Sequence, residues 1–103
     1  YTGPGKHDAK RHREVVRSWL LGQQAVVSAA QGCSASVQAA AAALVAADME
    51  ELGMLVSAGW EQAKRMGGSS SMEPTAVGSA LEQLRQMSLI HGGGMVGVGG
   101  GGC

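Results

Sequence analysis

The stretch of this sequence with the strongest chemical character is its last, Gly97-Val98-Gly99-Gly100-Gly101-Gly102-Cys103. Consecutive glycines admit positive φ and expose successive backbone N–H groups, which is the geometry of an anion-binding nest. A phosphate beside such a loop gains hydrogen bonds with no side chain in the way. The same composition also makes flexible linkers, and a terminal GGGGC would serve as an engineered thiol handle. Composition by itself leaves these readings side by side.

The other reactive residue types are scattered. Cys33 and Cys103 are far apart, and neither belongs to a CxxC or a Cys/His cluster. Two free thiols of this kind fit a reducing, cytoplasmic compartment. His7, His12 and His91 lack ligand-like spacing with acids or thiols, so no metal site is expected. Eight basic and eight acidic residues cancel, and global charge gives no argument for nucleic acid, an anionic membrane or an acidic substrate. Locally, Lys6, Lys10, Arg11, Arg13 and Arg17 crowd the first segment. That run reads as the solvated face of a helix or as a surface facing phosphate. No apolar run approaches the roughly eighteen residues of a membrane span, and no signal peptide is visible.

These residues need elements to position them. Gly3-Pro4-Gly5 makes the first seven residues a turn. Asp8 is a candidate N-cap for a helix from about Ala9 to Leu21, with Val15, Val16, Trp19 and Leu20 as its apolar stripe and Gly22 to end it. From Gln23 to Ala47 the steps of three and four through Val26, Ala30, Cys33, Val37, Ala40 or Ala41 and Leu44 predict a second helix, a packing seam more than a cofactor box. Asp48 with Glu51 reads as a capping box for a third, whose buried side is Leu52, Leu55, Val56, Gly59, Trp60 and Ala63. GGSSSM at 67–72 is a loop. Pro74 then opens a fourth helix, with Val77, Leu81 and Leu84, to about Met87. Met95 and Val96 are placed at the end of a short strand. With three aromatic residues and no phenylalanine in 103 residues, the core of this small domain is expected to be thin and its stability marginal.

Several segments together resemble one superfamily. Gly97-Val98-Gly99-Gly100-Gly101-Gly102-Cys103 is similar to the third conserved motif of the GHMP kinases, Gly-Ala followed by four glycines and Cys or Phe, and departs from it at Val98. Tyr1-Thr2-Gly3 resembles the strand exit that opens this region in L-fucokinases and the related heptose-phosphate kinases. Val15, Val16, Arg17 and Trp19 follow at the fucokinase spacing. Trp60-Glu61-Gln62-Ala63-Lys64-Arg65-Met66 looks like the Trp-Glu-x-x-Lys segment of both groups, and Glu73-Pro74 opens the last helix as in fucokinases. The likeness covers nearly the whole chain in order, with weak identity between the anchors. Lys6 stands where the family has arginine, exchanging a planar fork for a point charge, and Arg11 and His12 replace apolar residues.

The resemblance implies the C-terminal domain of an α+β GHMP kinase, partial over residues 1–103. This part is mostly helical, with about four helices, and ends in the glycine loop. The chain begins at Tyr1 without an initiator methionine and stops inside a glycine run, so both ends are expected to be cut. The whole enzyme would pass the γ-phosphoryl of ATP to the anomeric hydroxyl of L-fucose or a similar sugar. ATP and Mg²⁺ would be bound mainly by earlier motifs, and no catalytic residue is expected in these residues. Gly97, Val98, Gly99, Gly100, Gly101 and Gly102 would support the nucleotide-phosphate loop. Lys6 and Lys64 are candidate substrate or phosphate contacts, Lys64 being otherwise solvent-facing, and Trp60 is a core residue or a substrate platform. Cys103 would pack, not attack. The implied partners are the sugar, ATP and the rest of the same enzyme, with no nucleic acid and no membrane. Two alternatives remain at this point: a heptose-phosphate or other GHMP small-molecule kinase, and a small helical interaction protein with a glycine-rich tail.

Overall fold

The computed structural model describes residues 9–68 and 72–95. Their regular structure is helical: α1 Ala9–Leu20, α2 Gln24–Val45, α3 Met49–Gly67 and α4 Thr75–Gln86. The four helices stand where periodicity and punctuation place them. Met95, expected at the end of a strand, lies outside regular structure, and no strand occurs among the described residues. The glycines on its N-terminal side offer no side chains to hold a strand pairing. Val96 and the glycine run lie outside the described residues, as do Lys6 and the Tyr-Thr-Gly opening.

Three of the helices end in the same device. After α1, the Gly22 N–H donates to the Trp19 carbonyl and the Gln23 N–H to that of Ser18. After α2, Ala47 donates to Leu44 and Asp48 to Ala43; after α4, Ser88 donates to Arg85 and Leu89 to Leu84. Each is a Schellman closure, which requires a left-handed residue one place past the C-cap. Gly22 supplies it at φ 68°, whereas Ala47 and Ser88 adopt φ 55° and 56° with a Cβ present. Asp48 also starts α3, its carboxylate accepting from the Glu51 N–H at 3.0 Å. The expected reciprocal half of a capping box is displaced, because the Asp48 N–H is already committed to the end of α2.

This tight three-residue joint folds α2 and α3 into an antiparallel hairpin, the main packing unit. On α2 the packed positions include Val26, Ala29, Ala30, Cys33, Ser36, Ala40 and Ala43, so the expected stripe holds at Val26, Ala30, Cys33 and Ala40 and departs from the packed side in the second half of the helix. Val37 and Leu44, expected inside, are 68% and 58% exposed. The physical reason is bulk. α3 brings Leu52, Leu55 and Trp60, so α2 turns its small residues inward and the two axes approach. Ser36 is tolerated there because its hydroxyl donates to the Gly32 carbonyl at 2.9 Å. Val56 on α3 is likewise outside, at 47% exposure. α1 lies against the hairpin by a few residues only. Of its stripe, Val15 is half-buried while Val16, Trp19 and Leu20 are exposed.

Candidate functional site

The core gathers around Trp60, which with Met72 and Met95 forms a buried cluster flanked by Ala63 and Val77. Helical spacing puts Gly53, Ser57, Trp60 and Lys64 in one row along α3. Two other segments meet that row.

The first is the chain after α4. Ser57 Oγ accepts from the Gly93 N–H at 3.0 Å. Gly53 and Gly92 touch backbone to backbone: a Cβ on Gly92 would fall on the Gly53 carbonyl, and one on Gly53 would fall on His91. A Cβ at Gly94 would stand 2.7 Å from the Trp60 Cβ. Gly92 and Gly94 are therefore glycines because α3 leaves room for backbone alone, while a Cβ at Gly93 would stand 3.0 Å from Leu81 on α4. This contact seats Met95 beside Trp60, immediately before the glycine run.

The second is the connection into α4. Glu73 is 17% exposed at its side chain, and its carboxylate has two buried donors. The Trp60 Nε1–H donates to Oε2, and the Lys64 ammonium lies 3.2 Å from Oε1. Lys64, expected to face solvent, is instead 14% exposed, and it also holds Glu61 at 2.6 Å. The ring is complete because α4 carries Gly78 where any side chain would crowd Glu73, a Cβ there lying 2.8 Å from Oε1. Burial pulls the Lys64 ammonium towards deprotonation, but the hydrogen bonds and charges of Glu61 and Glu73 more than offset it, and the group titrates above the ordinary 10.5. A small polar cavity of about 50 Å³ opens between Ser57, Lys64, Glu73, Arg85 and Gly93. It is large enough for water and too small for a sugar ring.

Trp60 is thus a core residue, 7% exposed, and offers no face for a sugar to stack on. Lys64 already has two carboxylate partners, so a phosphate would have to compete with both. Lys6 and Gly97 to Gly102 lie outside the described residues. Glu73 enters the sequence reading only as the opening of a helix. Its role was partly visible in Trp60 and Lys64, four apart on one helical face with an indole N–H and an ammonium to satisfy. Which carboxylate would answer depended on tertiary contact, Glu73 being thirteen residues from Trp60 in sequence.

Among the described residues no group of three or more His, Cys, Asp or Glu is placed to hold a metal ion. No helix among them is long and apolar enough to cross a membrane. Comparison with known protein families, with curated proteins and with solved structures finds no match to this chain.

Proposed function

We propose that this chain is the C-terminal part of a GHMP-superfamily sugar kinase, acting on the anomeric hydroxyl of L-fucose or a closely similar sugar. The observation that supports the reading is convergence. The Trp60-to-Lys64 segment and Glu73-Pro74, which carry the resemblance independently, meet in one hydrogen-bonded ring. The chain entering the glycine motif is seated on the same row of α3.

In the complete enzyme the anomeric oxygen attacks the γ-phosphorus of ATP. The bond from that phosphorus to the β,γ-bridging oxygen breaks, the hydroxyl proton is released, and sugar 1-phosphate and ADP result. Such transfer is mostly positioning and charge neutralisation. When bound, Mg²⁺ and ATP supply the charge and the phosphoryl group, held by earlier motifs that this sequence does not contain. This chain's share is to shape the phosphate-binding floor through Gly97 to Gly102.

The test is Gly100→Val in the complete enzyme, assayed for ATP-dependent phosphorylation of L-fucose. A Cβ in a loop that packs against nucleotide should lower kcat/KM at least about tenfold, or ~1.4 kcal/mol of transition-state stabilisation. Gly59→Ala is the control, since a Cβ there meets nothing within 4 Å. Gly68 is unsuitable because its φ of 84° would strain any side chain. Kinetics that do not respond to Gly100→Val would sink the reading. The interaction-protein alternative rests on one observation, the exposure of Trp19, Leu20 and Leu21. It would gain if the complete gene product phosphorylates no sugar.

A further inference from the structure

We propose that the two ends of the α2–α3 hairpin are complementary faces of one contact, by which this chain joins a second copy of itself head to tail. The proposal goes beyond the kinase reading and does not rest on it.

α1 packs by the edge of its apolar stripe. Val15 is half-buried beside Ala63 and Met66 of α3, whereas Val16, Trp19, Leu20 and Leu21 stand in solvent. Arg13 and Arg17 line a shallow groove of about 530 Å³ together with Val16, Leu20 and Leu21. The helix carries four cations, Lys10, Arg11, Arg13 and Arg17, against the single carboxylate of Glu14, a net of three positive charges. A basic amphipathic helix of this kind fits a surface that is both apolar and acidic.

The chain has such a surface at its other end. α1 lies across the end where α2 starts and α3 finishes, and a Cβ on Gly67 would meet the Arg11 Cδ at 3.2 Å. The joint at 46–48 closes the opposite end, and the 22 residues of α2 put about 33 Å between the two. Around that joint Leu44, Val45, Met49 and Met54 are exposed. From 44 to 54 the sequence holds Asp48, Glu50 and Glu51 and no basic residue, a net of three negative charges. Arg85 adjoins Glu50 and Met54 but is already held by Glu82 at 2.6 Å.

Each end thus offers four large apolar side chains, and the two charges are equal and opposite. The rigid length of α2 keeps the ends of one chain apart, so they meet only between copies. Such a contact is heterologous, each copy using a different face for each of its two neighbours. It repeats, giving a ring where the rotation closes and an open chain where it does not. An anionic lipid surface would satisfy the basic end alone and repel the acidic one. A second copy covers both, and a formal net charge of zero leaves no long-range repulsion between copies.

The test is sedimentation of the 103-residue chain and of two variants, each with one end blocked. The unaltered chain should associate with a dissociation constant of about 10–100 µM, since faces this small fall below the standard interface size. Raising the salt from about 50 to 500 mM should weaken association at least about fivefold, because charges on exposed faces are screened. Association driven by apolar surface alone would not weaken with salt. Leu20→Glu with Leu21→Glu blocks the basic end, and Val45→Lys with Glu50→Lys blocks the acidic one. Leu20 and Val45 are 72% and 91% exposed, so both variants should keep the helical circular dichroism of the parent. Each alone should be monomeric at about 100 µM. Mixed in equal amounts, they should form a one-to-one dimer and no longer species, because one native face of each survives.

A mixture that stays monomeric overturns the proposal. So does self-association that persists in the Val45→Lys, Glu50→Lys variant, since α1 would then face a copy of itself. An unaltered chain that stays monomeric to about 1 mM overturns it as well. The basic end then belongs to an anionic lipid surface if the chain sediments with phosphatidylserine vesicles, and to the remainder of a longer protein if it does not. None of these outcomes bears on the kinase reading, which Gly100→Val decides separately.

Discussion

Ala47 stands in the left-handed region at φ 55°, where the Cβ of an L-residue meets the neighbouring carbonyl. It does so because the Schellman closure of α2 and the N-cap of α3 share a three-residue joint. The conformation is imposed from both sides, and only glycine would take it without strain. Ala47→Gly should therefore stabilise the chain by about 0.5–1 kcal/mol, the strain relieved exceeding the extra unfolded-state entropy. Gly22→Ala, at the equivalent place after α1, should destabilise by a similar amount. Urea unfolding monitored by circular dichroism would show the two midpoints moving in opposite directions. A downward shift for Ala47→Gly would mean that the joint does not require positive φ.

At the scale of elements, the hairpin depends on which side α2 turns towards α3. Ala43 is 5% exposed on the packed side, and its neighbour Leu44 is 58% exposed on the other. Ala43→Leu would force a branched side chain between two closely approached helices and should cost about 1–3 kcal/mol. Leu44→Lys exchanges one solvent-facing side chain for another and should stay within about 0.5 kcal/mol. The stripe read from the sequence alone predicts the reverse for Leu44, since a lysine in a buried seam is severe. Denaturant midpoints of these two variants discriminate between the registers directly. The C-terminal segment has its own dependence on shape: the backbone contact of Gly92 with Gly53 leaves no room for any larger residue at either position.

For the whole molecule, the apolar residues buried among those described are Val26, Ala29, Ala43, Trp60, Met72 and Met95. Two of the six are alanines, so the area withdrawn from water is small. Meanwhile Val16, Trp19, Leu20 and Leu21 on one side, and Val37, Leu44 and Val45 on another, remain in solvent. A chain with so little core and so much exposed apolar surface should be strongly helical by far-ultraviolet circular dichroism, melt over a broad range, and bind a hydrophobic dye before it unfolds. A sharp two-state transition above about 60 °C, beyond the usual range for a mesophile domain, without dye binding would contradict this.

The sequence by itself determined the four helices and most of their ends. Gly22, Asp48 and Pro74 are local signals, and local signals act through backbone geometry that neighbours cannot overrule cheaply. It left Trp60 as a core residue or a substrate platform, and burial to 7% exposure decided for the core, whereas Trp19, of the same type, is 54% exposed. The exposure of Val37 and Leu44 on α2 was not legible, since alanine satisfies a buried or an exposed position equally, and the choice fell to the volume that α3 presents. The left-handed turn at Ala47 was hidden for a related reason: no residue type advertised it, and the short joint imposed it. The need of Trp60 and Lys64 for a carboxylate was legible, but not that Glu73 meets it, since it lies thirteen residues from one and nine from the other. Only the tertiary structure decided that the residues before the glycine motif rest on the same face of α3 as that ring, because long-range contact depends on which backbone surfaces fit together, and here glycine met glycine.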